Sequence, residues 1–259
     1  MIALFVLKLS AGITLMWLLM PRKEVTDGFF RIQMRLLLGT TVLTVLLLSR
    51  SMATETSGIT KETIQVFEWI RELQIGSAVV AYLGSIFWAL GRRTPGNICI
   101  LLLGLTCTGT LALHSTQFPG QAGWLLQLSS DLASAAVLGA TLTGMLLGHW
   151  YLTTPTMSIR PLRWFIGILI ASAALRLLCS GLALFRFGFS IHEVVYGLWL
   201  GMRLAGGIVV PAVAAVLVWK VLQYRNTQSA TGILFAGLIL VFMGEMTGVL
   251  LEHATRIPY

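Results

Sequence analysis

Charged side chains are scarce in this sequence. Asp, Glu, Lys and Arg make up only 11% of its 259 residues, while hydrophobic residues make up 56%. Soluble domains usually contain roughly 25% charged residues. The mean hydropathy is +0.85. This composition excludes an ordinary soluble domain and indicates an integral membrane protein.

Cysteines and enzyme motifs are also sparse. Cys99, Cys107 and Cys179 lie within apolar runs and show no CxxC spacing, so we expect buried core residues and no disulfide framework or metal site. The chain has no Walker motif, no dinucleotide-type GxGxxG, no GxSxG elbow and no kinase motifs. No enzyme class is therefore indicated. The formal charge of +8 lies mostly in short links, where it sets membrane orientation, so nucleic-acid binding is not expected.

Long apolar runs dominate the chain, and a membrane-spanning helix needs about 20 apolar residues. The eight candidate spans are residues 2–20, 32–49, 65–90, 97–114, 123–152, 162–185, 191–221 and 229–252. The first run ends in LLMPRKE without a small-residue cleavage site, so we expect a retained helix and not a signal peptide. No link is long enough for a soluble domain. The sequence predicts an all-α bundle forming a single polytopic membrane domain over residues 1–259.

The basic residues in the links and toward the ends of the spans are distributed unequally between the two sides. Ten would lie on one side: Arg22, Lys23, Arg31, Arg35, Arg92, Arg93, Arg160, Arg163, Lys220 and Arg225. Five would lie on the other: Arg50, Lys61, Arg71, Arg186 and Arg256. By the positive-inside rule, both termini are expected on the non-cytoplasmic side. We expect a multi-pass protein in the lipid bilayer of a bacterial inner membrane.

Five charged residues stand deep within the apolar runs, and on this topology all lie in the outer half. They are Lys8, Asp131, Arg176, Arg203 and Glu245. Charges inside a membrane are costly, so they usually face the bundle interior and pair with one another. We expect this layer either to serve only as buried ion pairs or also to line a ligand or proton path. Asp131 and Glu245 are the candidates for proton handling.

Glycines four residues apart occur on two of the helices that carry these charges. Gly144 and Gly148 bracket GMLLG, and Gly244 and Gly248 bracket GEMTG. This spacing puts both glycines on one helix face, where a second helix can approach closely. The pattern predicts tight helix packing at these four positions.

The seventh run carries a stripe of functional side chains. His192, Tyr196, Trp199 and Arg203 follow at spacings of four, three and four, which places them on one helix face. Such a stripe is typical of a face that lines a cofactor, and also of an interfacial aromatic belt.

Four histidines limit the possible haem ligands. On the predicted topology His114, His192 and His253 lie near the outer surface, and His149 lies near the inner one. A bis-histidine haem needs two imidazoles at one depth, so one outer b-type haem is possible and a second, inner haem is disfavoured. Glu193 and Glu252 adjoin His192 and His253, which leaves a metal or proton-relay cluster as an alternative, although no HxH, HExxH or similar spacing makes it specific.

The polar link QYRNTQSATG at 223–232 is predicted to form a turn followed by a Ser or Thr helix cap. Its side chains Arg225, Asn226 and Gln228 are an alternative docking point for a partner.

Two functions from different classes fit these features. The first is a subunit of a respiratory-type electron-transfer assembly that binds quinone or one haem b, together with other membrane or peripheral subunits. The residues expected to bind this cofactor are His114, His192, Tyr196, Arg203 and His253. The second is a small transporter or channel, for which Gly206, Gly207 and Pro211 offer a helix break. A non-catalytic accessory subunit is the third alternative.

Overall fold

The computed structural model describes residues 1–54, 61–117, 121–154, 156–188 and 194–259. Within these ranges the chain is almost entirely helical and contains no strand. The α-helices are α1 (Ile2–Leu19), α2 (Asp27–Thr54), α3 (Lys61–Ala89), α4 (Arg93–Gln117), α5 (Trp124–Thr153), α6 (Arg160–Phe187), α7 (Val194–Leu204), α8 (Val210–Gln223) and α9 (Thr227–Thr255). A short 3-10 turn covers Arg22–Glu24, and a π-helical turn covers Ala205–Val209.

The eight predicted spans all form helices long and apolar enough to cross a membrane. Several helices extend beyond the predicted ends. α2, for example, begins at Asp27 and not at residue 32. A carboxylate in the first turn interacts favourably with the helix dipole, so the helix starts in polar sequence that hydropathy alone does not detect. Eight helices of this length and composition indicate a multi-pass membrane protein.

The seventh span is interrupted where the sequence offered a break. α7 ends at Leu204, a π turn follows, and α8 starts at Val210. The N–H of Val210 donates to the carbonyl oxygen of Ala205, five residues earlier. Pro211 has no N–H to donate to the carbonyl of the preceding turn. The wider turn therefore falls where regular α-helical hydrogen bonding cannot continue.

The helices pack as two closed groups of four spans. In the first group α1 contacts α2, α2 contacts α3, α3 contacts α4, and α4 returns to α1. In the second group α5 contacts α6, α6 contacts α8, α8 contacts α9, and α9 returns to α5, while α7 packs on α9. α1 and α5 join the two groups and are the most buried spans.

Glycines bring α1 and α5 into main-chain contact. A Cβ at Gly12 would overlap the carbonyl oxygen of Ala135 and lie 2.9 Å from the nitrogen of Gly139. On the other side of α5, a Cβ at Gly148 would lie 2.9 Å from Oγ1 of Thr231 on α9. The prediction for Gly144 is wrong: among the described residues no neighbouring atom lies within 4 Å of its Cβ position. The close approach occurs at Gly139 instead.

The outer surface of the bundle is rich in large apolar side chains. Leu105 on α4 and Leu178 on α6 are 63% and 70% exposed. In contrast, the predicted internal charges are almost fully covered. A surface of exposed leucines, with the charges enclosed in the interior, suits a lipid environment.

The bundle has two distinct ends. We call the end where α1 starts and α9 finishes the Lys8 end, and the end where α6 and α9 start the Arg160 end. At the Arg160 end the cap of α9 is Asn226, whose side-chain oxygen accepts from the N–H of Ser229 at 3.0 Å. The predicted Ser or Thr cap is therefore wrong, because asparagine immediately before the helix supplies the same acceptor.

Candidate functional site

Lys8 on α1 lies between two carboxylates from different helices. Its Nζ is 2.6 Å from Oδ1 of Asp131 on α5 and 3.2 Å from Oε2 of Glu252 on α9. Lys8 and Asp131 are 2% and 0% exposed, whereas the Glu252 side chain is 17% exposed. The three groups thus run from the partly open surface of the Lys8 end into the closed interior.

Neutral side chains complete this first cluster. Ser115 on α4 donates to Oδ2 of Asp131 at 2.7 Å. Gln127, one turn before Asp131, uses its Nε2 to donate to Oδ2 of Asp131 at 3.1 Å and to Oε1 of Glu252 at 2.6 Å. The two carboxylates are therefore connected both through the lysine ammonium and through the glutamine amide.

A second cluster forms around Glu245 on α9. Nη1 of Arg203 is 2.5 Å from Oε1 of Glu245, and Nε of Arg176 is 3.8 Å from the same oxygen. Ser134 on α5 donates to Oε2 at 2.7 Å. Arg176, Arg203 and Glu245 are all at most 3% exposed. Charges are tolerated away from water only when they are paired and hydrogen-bonded in this way.

Glycines make room for the Arg203 side chain. A Cβ at Gly248 would lie 2.6 Å from Cδ of Arg203, and a Cβ at Gly207 would overlap its Nη1. Gly244, one turn before Gly248, packs directly on the main chain of Gly206 in the π turn. The predicted packing role of Gly244 and Gly248 is confirmed, and it serves to enclose a guanidinium.

The segment after α9 closes the second cluster. Nη2 of Arg176 donates to the main-chain oxygen of Tyr259 at 2.9 Å, and Nε of Arg203 donates to the same oxygen at 3.4 Å. The Tyr259 hydroxyl donates to the carbonyl of Gly188 at 3.2 Å. Burial raises the pKa of the Tyr259 phenol, so the hydroxyl remains a neutral donor. The chain therefore folds back over the two arginines.

We call the two clusters together the charge network. It contains three cations and three carboxylates: Lys8, Arg176, Arg203, Asp131, Glu245 and Glu252. The five charges predicted from the sequence are all buried. The sixth, Glu252, was considered only as a neighbour of His253. It lies seven residues after Glu245, two helical turns along the same face, and that spacing is the signal that could have found it.

The predicted cofactor residues lie in different environments. Arg203 is fully buried and paired, Tyr196 is half-buried with its ring centroid 5.5 Å from that of Trp199, and His114 is half-buried at the end of α4. His253 is exposed. His192 lies outside the described residues. His149, at the Arg160 end, is exposed.

In the described part of the chain, no three His, Cys, Asp or Glu side chains lie close enough together to hold a metal ion. Cys99, Cys107 and Cys179 are buried free thiols, as expected for core residues. The charge network is thus an arrangement of ion pairs and hydrogen bonds.

Comparisons of the chain with protein-family models, with curated proteins and with solved structures found no match. A fold alone does not define an activity, so the function has to be inferred from the geometry and chemistry of the charge network.

Proposed function

We propose that the protein is a membrane subunit of an electron-transfer assembly, and that it binds quinone near the charge network and exchanges the protons of the quinone reaction. One observation carries this proposal. Glu252, Lys8 and Asp131 form a continuous line of ionisable groups from a partly exposed position to a fully buried one. Lines of ionisable groups inside membrane bundles commonly mark proton relays.

The orientation follows from charge. Arg160, Arg163 and Arg225 are among the ten basic residues at or near the Arg160 end. By the positive-inside rule this end faces the cytoplasm, and the Lys8 end with the charge network faces the other side of a bacterial inner membrane. Glu252 then connects the network to the non-cytoplasmic surface.

Quinone suits the donors near the network. The carbonyl oxygens of a quinone accept hydrogen bonds, which the Tyr196 hydroxyl and the Arg203 guanidinium can donate. Nη2 of Arg203 is buried and has no hydrogen-bond partner among the described residues. Haem fits less well, since of the two described histidines at the Lys8 end only His114 is half-buried and His253 is exposed. Oxidation of a quinol releases two electrons and two protons. The electrons pass to a redox centre in a partner subunit, and Asp131 or Glu245 accepts the protons one at a time.

The test is organic extraction of the detergent-purified protein, together with a reduced-minus-oxidised optical spectrum. We expect about one quinone per chain in the wild-type protein. Tyr196→Phe removes one donor but keeps the ring, and should weaken quinone retention roughly tenfold. Tyr82→Phe, at an exposed tyrosine on α3, is the matched control and should retain quinone like the wild type.

A colourless, quinone-free wild-type protein would overturn the proposal and favour a transporter or accessory subunit. Haem bands lost in His114→Ala would replace quinone with haem as the cofactor. Equal quinone retention in Tyr196→Phe and Tyr82→Phe would exclude Tyr196 as a ligand.

Transport is the second candidate, and one observation favours it. The π turn at Ala205–Val209 interrupts the seventh span directly after the buried Arg203. Such turns are frequent at functional sites, and broken helices form substrate sites in transporters. Substrate-driven proton uptake by vesicles containing the purified protein, abolished in Asp131→Asn, would support transport over electron transfer.

A further inference from the structure

A separate cavity of about 680 Å³ opens at the Arg160 end, away from the charge network. Its walls come from the link between α5 and α6, the first turn of α6, and the link between α8 and α9. The lining residues are Tyr151, Thr156, Met157, Ser158, Ile159, Arg160, Arg163, Arg225 and Thr227. We call it the basic cavity.

The charge of the basic cavity is strongly one-sided. Three arginines line it, and its described lining contains no acidic residue. Glu24, outside the lining, is 3.1 Å from Nη1 of Arg160 and neutralises one of them. Arg163 donates to the carbonyl of Leu222 at 3.4 Å, which fixes its guanidinium without neutralising it. The cavity therefore retains uncompensated positive charge.

Two helix N-termini meet at this cavity. α6 begins at Arg160, whose N–H donates to Oγ of Ser158 at 3.3 Å, and α9 begins at Thr227, directly after its Asn226 cap. The N-terminus of a long helix carries partial positive charge, which favours anions. Thr156, Ser158 and Thr227, which can each donate a hydroxyl hydrogen bond, are also among the lining residues, so the lining suits an anion with several oxygens.

Arg225 adopts a backbone conformation that most side chains avoid. Its φ is +54°, in the left-handed region that glycine or asparagine normally occupies after a helix. Its side chain lines the basic cavity. Such a residue at a site of concentrated charge indicates a role beyond forming the turn.

We propose that the basic cavity binds the phosphate group of an anionic ligand through Arg163, Arg225 and the two helix N-termini. The phosphate comes from either of two sources, the headgroup of an anionic lipid or a soluble phosphate compound. The surroundings are those of the membrane interface, because Trp164 and Tyr224 beside the cavity are 55% and 85% exposed and such residues concentrate at headgroup level. The volume lies within the range of ligand cavities and exceeds that of a lone phosphate.

The experiment measures the thermal unfolding of the purified protein in detergent with added phosphatidylglycerol, phosphatidylcholine or inorganic phosphate. Arg225→Gly is the informative variant, because glycine relieves the left-handed conformation while removing the guanidinium. Without ligand we expect its Tm to equal or exceed that of the wild type. Its apparent Kd for the stabilising ligand should be roughly tenfold weaker. Arg163→Gln should weaken binding similarly.

Arg92→Gln is the matched control, since Arg92 is an exposed arginine at the same end and outside the cavity. It should keep the wild-type response. Stabilisation by phosphatidylglycerol but not by inorganic phosphate identifies a lipid headgroup, and stabilisation by inorganic phosphate identifies a soluble source. If neither probe stabilises the wild type, or if Arg92→Gln weakens the response as much as Arg225→Gly, the proposal is overturned.

Discussion

Each buried charge in the network is stabilised by its oppositely charged neighbours. A buried charge is tolerable only while its partners remain. Lys8 serves two carboxylates at 2.6 and 3.2 Å, so its loss leaves both without their cation. The network is therefore most sensitive to changes that remove one sign of charge only.

Lys8→Met tests this dependence. We expect a loss of about 3–5 kcal/mol in the free energy of unfolding, because the fully buried Asp131 and the partly exposed Glu252 both lose their cation. The double variant Lys8→Met/Asp131→Asn removes one charge of each sign, and should be less destabilised than the sum of its single variants. The measurement is equilibrium unfolding of each variant in mixed detergent.

The control for this comparison of single and double variants is the exposed ion pair of Arg71 and Glu72, in which Nη2 of Arg71 is 3.0 Å from Oε1 of Glu72. Arg71→Gln should change stability by less than about 1 kcal/mol, since exposed ion pairs contribute little. Additive effects of the Lys8 and Asp131 substitutions would show that the pair is not energetically coupled.

The sequence predicted which charges are internal but not how they pair. Lys8, Asp131, Arg176, Arg203 and Glu245 stand in apolar runs, and this context is sufficient to expect burial. Pairing depends on which helices are neighbours, and that is decided by packing between residues far apart in the sequence: Arg203 and Glu245 are 42 positions apart, and Lys8 and Glu252 are 244 apart. Glu252 was missed because its position near a helix end resembles that of a surface residue.

Helices in this bundle are positioned by glycines as much as by hydrophobic side chains. In a lipid bilayer the hydrophobic effect does not drive helices together. Membrane helices associate instead through close packing, which small residues permit. Gly12 and Gly139 bring α1 and α5 into main-chain contact. This contact joins the two four-span groups, so it also sets the separation of Lys8 and Asp131.

Gly12→Ala should therefore be disruptive although the change is a single methyl group. The added Cβ would overlap the Ala135 carbonyl, which must move away with its helix. We expect a loss of about 1–3 kcal/mol, as for other overpacked interiors, measured by the same unfolding assay. Gly76→Ala on α3 is the control: its Cβ would meet no described atom within 4 Å, so alanine should be neutral or stabilise by up to about 1 kcal/mol. Equal stability of the two variants would contradict the packing role of Gly12.

The number of membrane-length spans could be predicted from the sequence, whereas the contacts between the helices could not. An apolar run of sufficient length must satisfy its backbone internally, which makes a helix. The break at Gly206, Gly207 and Pro211 was also a sequence candidate, and the structure places a π turn at Ala205–Val209. The GxxxG pattern was the only sequence signal for the packing of α5 against α1 and α9. That pattern includes Gly144, whereas the contact of α5 with α1 is made at Gly139.

The orientation of the whole bundle in the membrane decides to which side each of the two proposed sites opens. The charge network lies toward the Lys8 end and the basic cavity at the Arg160 end. Basic residues are retained on the cytoplasmic side of membranes, so the basic cavity should meet cytoplasmic anions or inner-leaflet lipids. The network should open, through Glu252, to the opposite side.

Cysteine labelling of intact cells tests this orientation. The native Cys99, Cys107 and Cys179 are buried, so the wild-type protein provides a low background. Gln121 at the Lys8 end and Gln228 at the Arg160 end are both exposed. Gln121→Cys should react with a membrane-impermeant maleimide in intact cells, and Gln228→Cys only after the membrane is opened. The reverse pattern would contradict the proposed orientation, because it would open the charge network to the cytoplasm through Glu252 and place the basic cavity on the opposite side.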